Sequence, residues 1–188
     1  MRALARPGSQ ARLARGCEAI TGDPLDAGSF RERVAPADTF VQLVGVSHPS
    51  PAKAAEFRKI DLKSAQAGLE AALDAAVRHF IYISVAHPAP VMKEYIAARS
   101  EAEEAVRASG LNATILRPWY ILGPGRRWPL LLVPAYWLMG ALPSTRESAR
   151  RLGLVTIDQM VRAMVRAVEE PARGLRVLEV PQIRAALW

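Results

Sequence analysis

Arg78-His79-Phe80-Ile81-Tyr82-Ile83-Ser84 and Asn112-Ala113-Thr114-Ile115-Leu116-Arg117 bracket the stretch whose reading decides the fold. The first run is short, apolar and rich in β-formers, and it ends on a hydroxyl. A proline-bearing loop over 85–90 follows. A helical pattern then runs from Met92 to Ser109 and closes at Gly110, and Pro118 stops the second run. Two apolar strands joined by a helical crossover predict a parallel pair with a right-handed connection. Ligands of such sheets bind beyond the carboxyl ends of the strands. Those ends carry Ser84, the loop 85–90, and Arg117 through Gly125.

The crossover helix carries the sharpest chemical signal. Tyr95 and Arg99 are four residues apart and share one helix face. A cation there lowers a tyrosine's pKa and equips it for acid/base work. Ser84 is placed to hydrogen-bond the same substrate oxygen. The competing reading is an amphipathic helix with a half-buried tyrosine and a surface arginine. Spacing alone leaves both open.

Upstream, Thr39-Phe40-Val41-Gln42-Leu43-Val44-Gly45 reads as a buried strand. Gly45 closes it where a backbone must approach a ligand or turn tightly. His48 falls in the loop that follows. Ala52 to Ala76 reads as a long helix with Ile60, Leu69 and Leu73 as its apolar stripe. Further back, Arg2 to Arg6 and Glu18 to Asp23 read as strands. Ser29 reads as the cap of a short helix, Phe30 to Val34, with Glu32 at capping-box spacing.

Downstream, Trp128 to Thr145 holds no charged residue and is flanked by Arg126, Arg127, Arg146, Arg150 and Arg151. Pro129, Pro134, Gly140 and Pro143 argue against a membrane span. Two readings remain: a substrate-side lid within an insertion over 128–153, or a peripheral membrane contact through 128–145. Gln159 to Glu169 reads as a helix with Met160, Val161, Met164, Val165 and Val168 buried. Arg176 to Val180 reads as the closing strand.

Composition bounds the rest. The 188 residues, 51% of them hydrophobic, suit one globular domain. Cys17 is alone, which excludes a disulfide framework, and His48, His79 and His87 lack metal-ligand spacing, so no metal site is expected. The formal charge is +7, with basic residues scattered and not interleaved with aromatics. Nucleic acid is therefore not an expected partner. Met1 to Arg15 has no apolar core segment of a signal peptide, and a cytoplasmic location is the default expectation.

Ser84, Tyr95-x-x-x-Arg99, Arg117-Pro118 and Gly123-Pro124-Gly125, in that order, resemble the extended or atypical short-chain dehydrogenase/reductase family. That family carries Ser, Tyr-x-x-x-Lys, Arg-Pro and Gly-Pro-Gly at corresponding places; Arg99 stands where it has lysine, which in the family also orients the nicotinamide ribose. The resemblance implies an α/β, Rossmann-like, doubly wound parallel sheet. It implies Tyr95, Ser84 and Arg99 as the catalytic set. It implies Arg6, Asp23, Gly45 and Pro118 at a bound NADP or NAD. In that setting Arg6 would face the adenosine 2′-phosphate and Asp23 the adenine amine, although a solvated loop arginine and a turn aspartate read equally well from the residues. The family's opening strand, glycine-rich loop and helix have no counterpart here, and Met1 falls where its second strand begins. The expected sheet therefore lacks its first strand and helix, between the strands at Leu4 and Phe40. The implied function is an NAD(P)-dependent oxidoreductase or nucleotide-sugar epimerase/dehydratase acting on a small-molecule substrate, with an oligomer allowed. The alternative is a non-catalytic NAD(P)-binding sensor or assembly protein similar to the Rossmann-like accessory subunit of respiratory complex I.

Overall fold

The structure, a computed structural model, describes residues 1–124 and 145–186, together with positions 131, 134 and 139. Among them the core sheet is four-stranded and parallel, in the order β3 (Thr39–Gln42), β4 (His79–Ile83), β5 (Ala113–Arg117) and β8 (Leu175–Glu179). β1 (Arg2–Ala5) and β2 (Glu18–Thr21) form a parallel pair of their own. So do β6 (Tyr120–Leu122) and β7 (Leu154–Thr156). The predicted pairing of β4 with β5 holds, with Phe80 against Ala113 and Ile83 against Leu116. No ladder joins β1 to β3 among the described residues.

Alternation along β4 splits the core into two layers. Phe80 and Tyr82 point to one face, against Phe57, Leu69, Ala98, Ala102 and Val106. Ile81 points to the other, against Leu116, Val155, Met160, Val180 and Ile183. A period of two in a strand requires this division, and helices on both faces make the sheet doubly wound. The first face is covered by helices α1 and α2. Helix α1 begins at Ala54–Glu56, passes through a π-helical segment at Phe57–Leu62 and continues as Lys63–Asp74. Helix α2 spans Lys93–Ala108, and Gly110 closes it at a positive φ of 73°. The second face is covered by α4 (Ile157–Glu169) and α5 (Val180–Arg184). The short α3 (Arg146–Arg151) precedes β7.

Three expectations of detail are corrected. In α1 the π segment turns Phe57, Asp61 and Leu62 inward and Leu69 continues the buried face, while Leu73, in the last turn, is 44% exposed. In α4 the buried stripe is Met160, Ala163 and Ala167, and Val161 and Val168 face outward. The small alanines bring the α4 backbone close to the sheet and the valines take the flank. Ser29 caps no helix. Asp26 caps the 3-10 turn Ala27–Ser29 through Gly28 N–H, and the Ser29 hydroxyl instead accepts from the Asp23 amide. A capping box is found at α4, where Thr156 and Gln159 exchange hydrogen bonds. The insertion placed at 128–153 and the apolar segment 128–145 lie outside the described residues except at 131, 134, 139 and from 145 onward.

Candidate functional site

The carboxyl ends of β3, β4, β5 and β8 present Gly45, Ser84, Arg117 and Glu179 along one edge of the sheet. Helix α2 lays Tyr95, Arg99 and Glu103 across that edge, one turn apart on a single face. The π segment of α1 repeats this spacing with Phe57 and Asp61. The two helices therefore meet as two matched pairs. The Phe57 and Tyr95 rings lie 5.0 Å apart at 58°, and Arg99 Nη2 donates to Asp61 Oδ1 at 2.5 Å.

Arg99 is almost wholly enclosed. Its Nη1 donates to the Ile83 carbonyl at 2.6 Å, and its guanidinium carbon lies 5.3 Å from the Tyr95 ring centre and 5.7 Å from that of Tyr82. Asp61 is fully buried, and its second oxygen accepts from the Val46 amide at 3.1 Å. The close approach expected at Gly45 is real but is made to this pair. A Cβ there would overlap Arg99 Nη2 and lie 2.8 Å from Asp61 Oδ1.

The electrostatic expectation for Tyr95 is overturned. Burial is the largest influence and pushes its phenol up; Arg99 works downward, Asp61 upward, and the net shift is upward. Tyr82, buried with no regular hydrogen bond to its hydroxyl, is pushed up to about 12 by the same desolvation. Arg99 itself is held charged. Burial works against its charge, but the two phenols and Asp61 outweigh that.

A second charged group adjoins the first. Glu103 is buried and receives Arg117 through Nε at 3.0 Å and through Nη2, while Arg117 Nη1 donates to Glu179 Oε1 at 2.9 Å. His87 Nε2 stands 3.5 Å from Glu103. Burial raises the Glu103 pKa, but the Arg117 and Ser84 hydrogen-bonding groups and the nearby charges bring it below the usual carboxylate value. Ser84 Oγ lies beside Glu103, buried and without a regular hydrogen bond. Its hydroxyl is thus on the Glu103 side of the ladder, whereas Tyr95 lies at the Phe57 end.

The remaining residues fall at the same edge of the other strands. Pro118 is buried, and its carbonyl accepts from Ala86 N at 2.9 Å, tying the exits of β4 and β5 together. Arg6 follows β1, is exposed, and makes no side-chain hydrogen bond or ion pair among the described residues. Asp23 follows β2, where its Oδ1 accepts from the Leu25 amide at 2.9 Å and builds a turn. His48 is exposed in its loop with Nδ1 2.8 Å from Ser47 Oγ. Sequence reasoning missed Asp61, Glu103 and Glu179. The eight-residue step from Tyr95 to Glu103 was the available signal for one of them.

A parallel sheet with both faces covered, and polar residues gathered at its carboxyl edge, is the setting in which the comparisons with known proteins carry weight. Residues 1–127 match the model of a family described as NAD(P)H-binding. The chain belongs to that NAD(P)H-binding family. A curated relative, a ceramide reductase of Caulobacter vibrioides (strain NA1000 / CB15N), is 28% identical over 168 residues, which is 89% of this chain and 51% of the relative. The chain thus spans about half the length of the curated relative it matches. Among solved structures, a nucleoside-diphosphate-sugar epimerase from Staphylococcus aureus superposes with a TM-score of 0.64 at 17% identity, covering 94% of this chain and 60% of that one. A short-chain dehydrogenase/reductase superfamily protein from Agrobacterium tumefaciens with bound NAD gives 0.64 at 17% identity, covering 98% and 74%. These likenesses establish the short-chain dehydrogenase/epimerase fold for this NAD(P)H-binding family member.

The residues present fit a dinucleotide in part. The exposed, uncommitted Arg6 suits an adenosine phosphate. Arg99 does not suit a ribose, because its two terminal nitrogens are already committed to Asp61 and Ile83. Among the described residues no group of His, Cys, Asp and Glu is placed to hold a metal ion.

Proposed function

We propose that this chain is the dinucleotide-binding part of an NAD(P)H-dependent reductase that acts on a carbonyl substrate. The observation that carries this reading is the placement of Tyr95 at the carboxyl edge of a sheet whose first 127 residues match the NAD(P)H-binding family. The cofactor, when bound, supplies a hydride to the carbonyl carbon. Tyr95 holds the proton that the carbonyl oxygen takes up, and its raised pKa keeps that proton in place at neutral pH. Arg6 would hold a 2′-phosphate, with Asp23 and Gly45 lining the approach. The relative named a ceramide reductase directs the first assays to lipid carbonyl substrates, and peripheral membrane contact through 128–145 fits such a substrate. No helix among the described residues is long and apolar enough to cross a membrane.

The commitment of Arg99 to Asp61 favours a second reading, a non-catalytic NAD(P)-binding sensor or assembly protein. Two measurements separate them. Nicotinamide fluorescence should show saturable binding of NADPH or NADH, and absence of saturation would remove both readings. With a substrate that turns over, Tyr95→Phe should leave cofactor affinity intact and cost about 10²-fold or more in kcat. Unchanged turnover in that variant would leave the tyrosine structural and support the sensor.

A further inference from the structure

Asp61 is a fully buried acid that the proposed chemistry does not use. Its two oxygens receive two donors from two different elements: Arg99 Nη2 on α2 at 2.5 Å, and the Val46 amide just beyond β3 at 3.1 Å. Arg99 continues the chain of contacts to the Ile83 carbonyl at the end of β4. Gly45 packs without a side chain against the same two groups. Four pieces of the molecule are therefore joined at one buried ion pair: the π segment of α1, the exit of β3, the end of β4 and the Tyr95 face of α2.

We propose that Asp61 is a positioning residue: through Arg99 it clasps the exit of β3 to the end of β4 and to α2, and Arg99 serves this clasp instead of a cofactor ribose. The functional side of this inference rests on the dinucleotide-binding reading above.

The donor count gives the clasp its specificity. Aspartate offers two acceptor oxygens and no hydrogen. Asparagine offers one acceptor and an NH₂ that would face a donor. Asp61→Asn must therefore leave either Val46 N–H or Arg99 unpaired in a buried site. Arginine also suits its place in a way lysine does not. Its fork reaches Asp61 and Ile83 from two separate nitrogens, whereas an ammonium is a single point. The replacement of lysine at this position thus accompanies a change of partner, not a weaker version of the same contact.

Two readouts on the 188-residue chain test this: hydrogen exchange at the Val46 amide, and NADPH or NADH affinity by nicotinamide fluorescence. The clasp predicts that Asp61→Asn and Arg99→Lys each speed Val46 exchange by about tenfold or more, the loss of one buried hydrogen bond. It predicts that both weaken dinucleotide binding to a similar degree, because the exit of β3 loses its anchor. A ribose role for Arg99 predicts the opposite. Arg99→Lys would then hold or tighten binding, and Asp61→Asn would free the arginine for the cofactor. Unchanged Val46 exchange in both variants overturns the clasp. Faster exchange with unchanged affinity overturns the positioning role. If Asp61→Asn does not fold by circular dichroism, Arg99→Lys decides alone. If the unmodified chain binds no dinucleotide, the functional reading above fails, and Val46 exchange decides the clasp without it.

Discussion

At the residue scale the site is governed by who neutralises whom. Helix α2 carries a cation at Arg99 and an anion at Glu103, both buried, and each draws its partner from another element: Asp61 from α1 and Arg117 from β5. Burying a charge is costly unless it is paired, and breaking such a pair is worse than never having formed it. Arg117→Met should therefore leave Glu103 buried without its main partner and cost about 3–5 kcal/mol in a denaturant titration. Arg107 lies 4.0 Å from Glu103 but is 42% exposed, so it is poorly placed to compensate. A loss under 1 kcal/mol would mean that His87 and Arg107 carry Glu103 adequately. Gly45 belongs to the same account. Gly45→Ala sets a methyl against Arg99 and Asp61, neither of which can withdraw without losing hydrogen bonds, and overpacking of this kind costs about 1–3 kcal/mol. Of this network, the Tyr95–Arg99 spacing was legible in the sequence. Its electrical consequence was not, since the burial that dominates at Tyr95, and the placing of Asp61 thirty-eight positions from Arg99, are set by the fold.

At the element scale, β1 to β5, β8 and the helices α1, α2 and α4 were read to within a few residues, several of them punctuated by Gly or Pro, whereas β6, α3 and α5 were not read. Gly110 ends α2 in a left-handed conformation, and Pro118 ends β5. The faces were read less well, and the cause is particular. A helical wheel at 100° per residue places Leu69 and Leu73 together, but Leu73 sits in the last turn of α1, beside its end at Asp74, so Leu69 is 7% exposed and Leu73 44%. Nor does composition mark the π segment at 57–62, whose Phe57 and Asp61 meet Tyr95 and Arg99. The difference is measurable. Leu69→Ala should cost about 2–4 kcal/mol as a buried truncation, and Leu73→Ala about 1 kcal/mol or less. Equal losses at the two positions would show that Leu73 is packed as closely as Leu69. Alanines misled the reading of α4 in the same way. Ala163 and Ala167 are the buried residues, and a search for large apolar side chains passes over them.

At the scale of the whole molecule the polar residues divide between the two ends of the sheet. The carboxyl edge holds the ion-pair ladder. The opposite edge holds His79, where β4 begins, with Nε2 3.0 Å from Thr114 Oγ1 and Nδ1 buried and unpaired. Arg176 donates to the same Thr114 oxygen at 3.1 Å. Burial, and then the charge of Arg176, lower the His79 pKa from its ordinary 6.5. A histidine that is harder to protonate in the folded state favours folding only while it is neutral. Its contribution is complete above pH 6.5 and falls away as pH drops from there through the lower folded-state value, because the unfolded chain then binds the extra proton. Glu103, also lowered, acts in the same direction from its ordinary 4.5 downward. The melting temperature should therefore hold level above neutrality, decline in a first step below pH 6.5 and decline again below pH 4.5. His79→Gln keeps a polar side chain at that position and removes the titration, so it should flatten the first step while leaving the second. An unaltered first step in that variant would assign the acid sensitivity to another group.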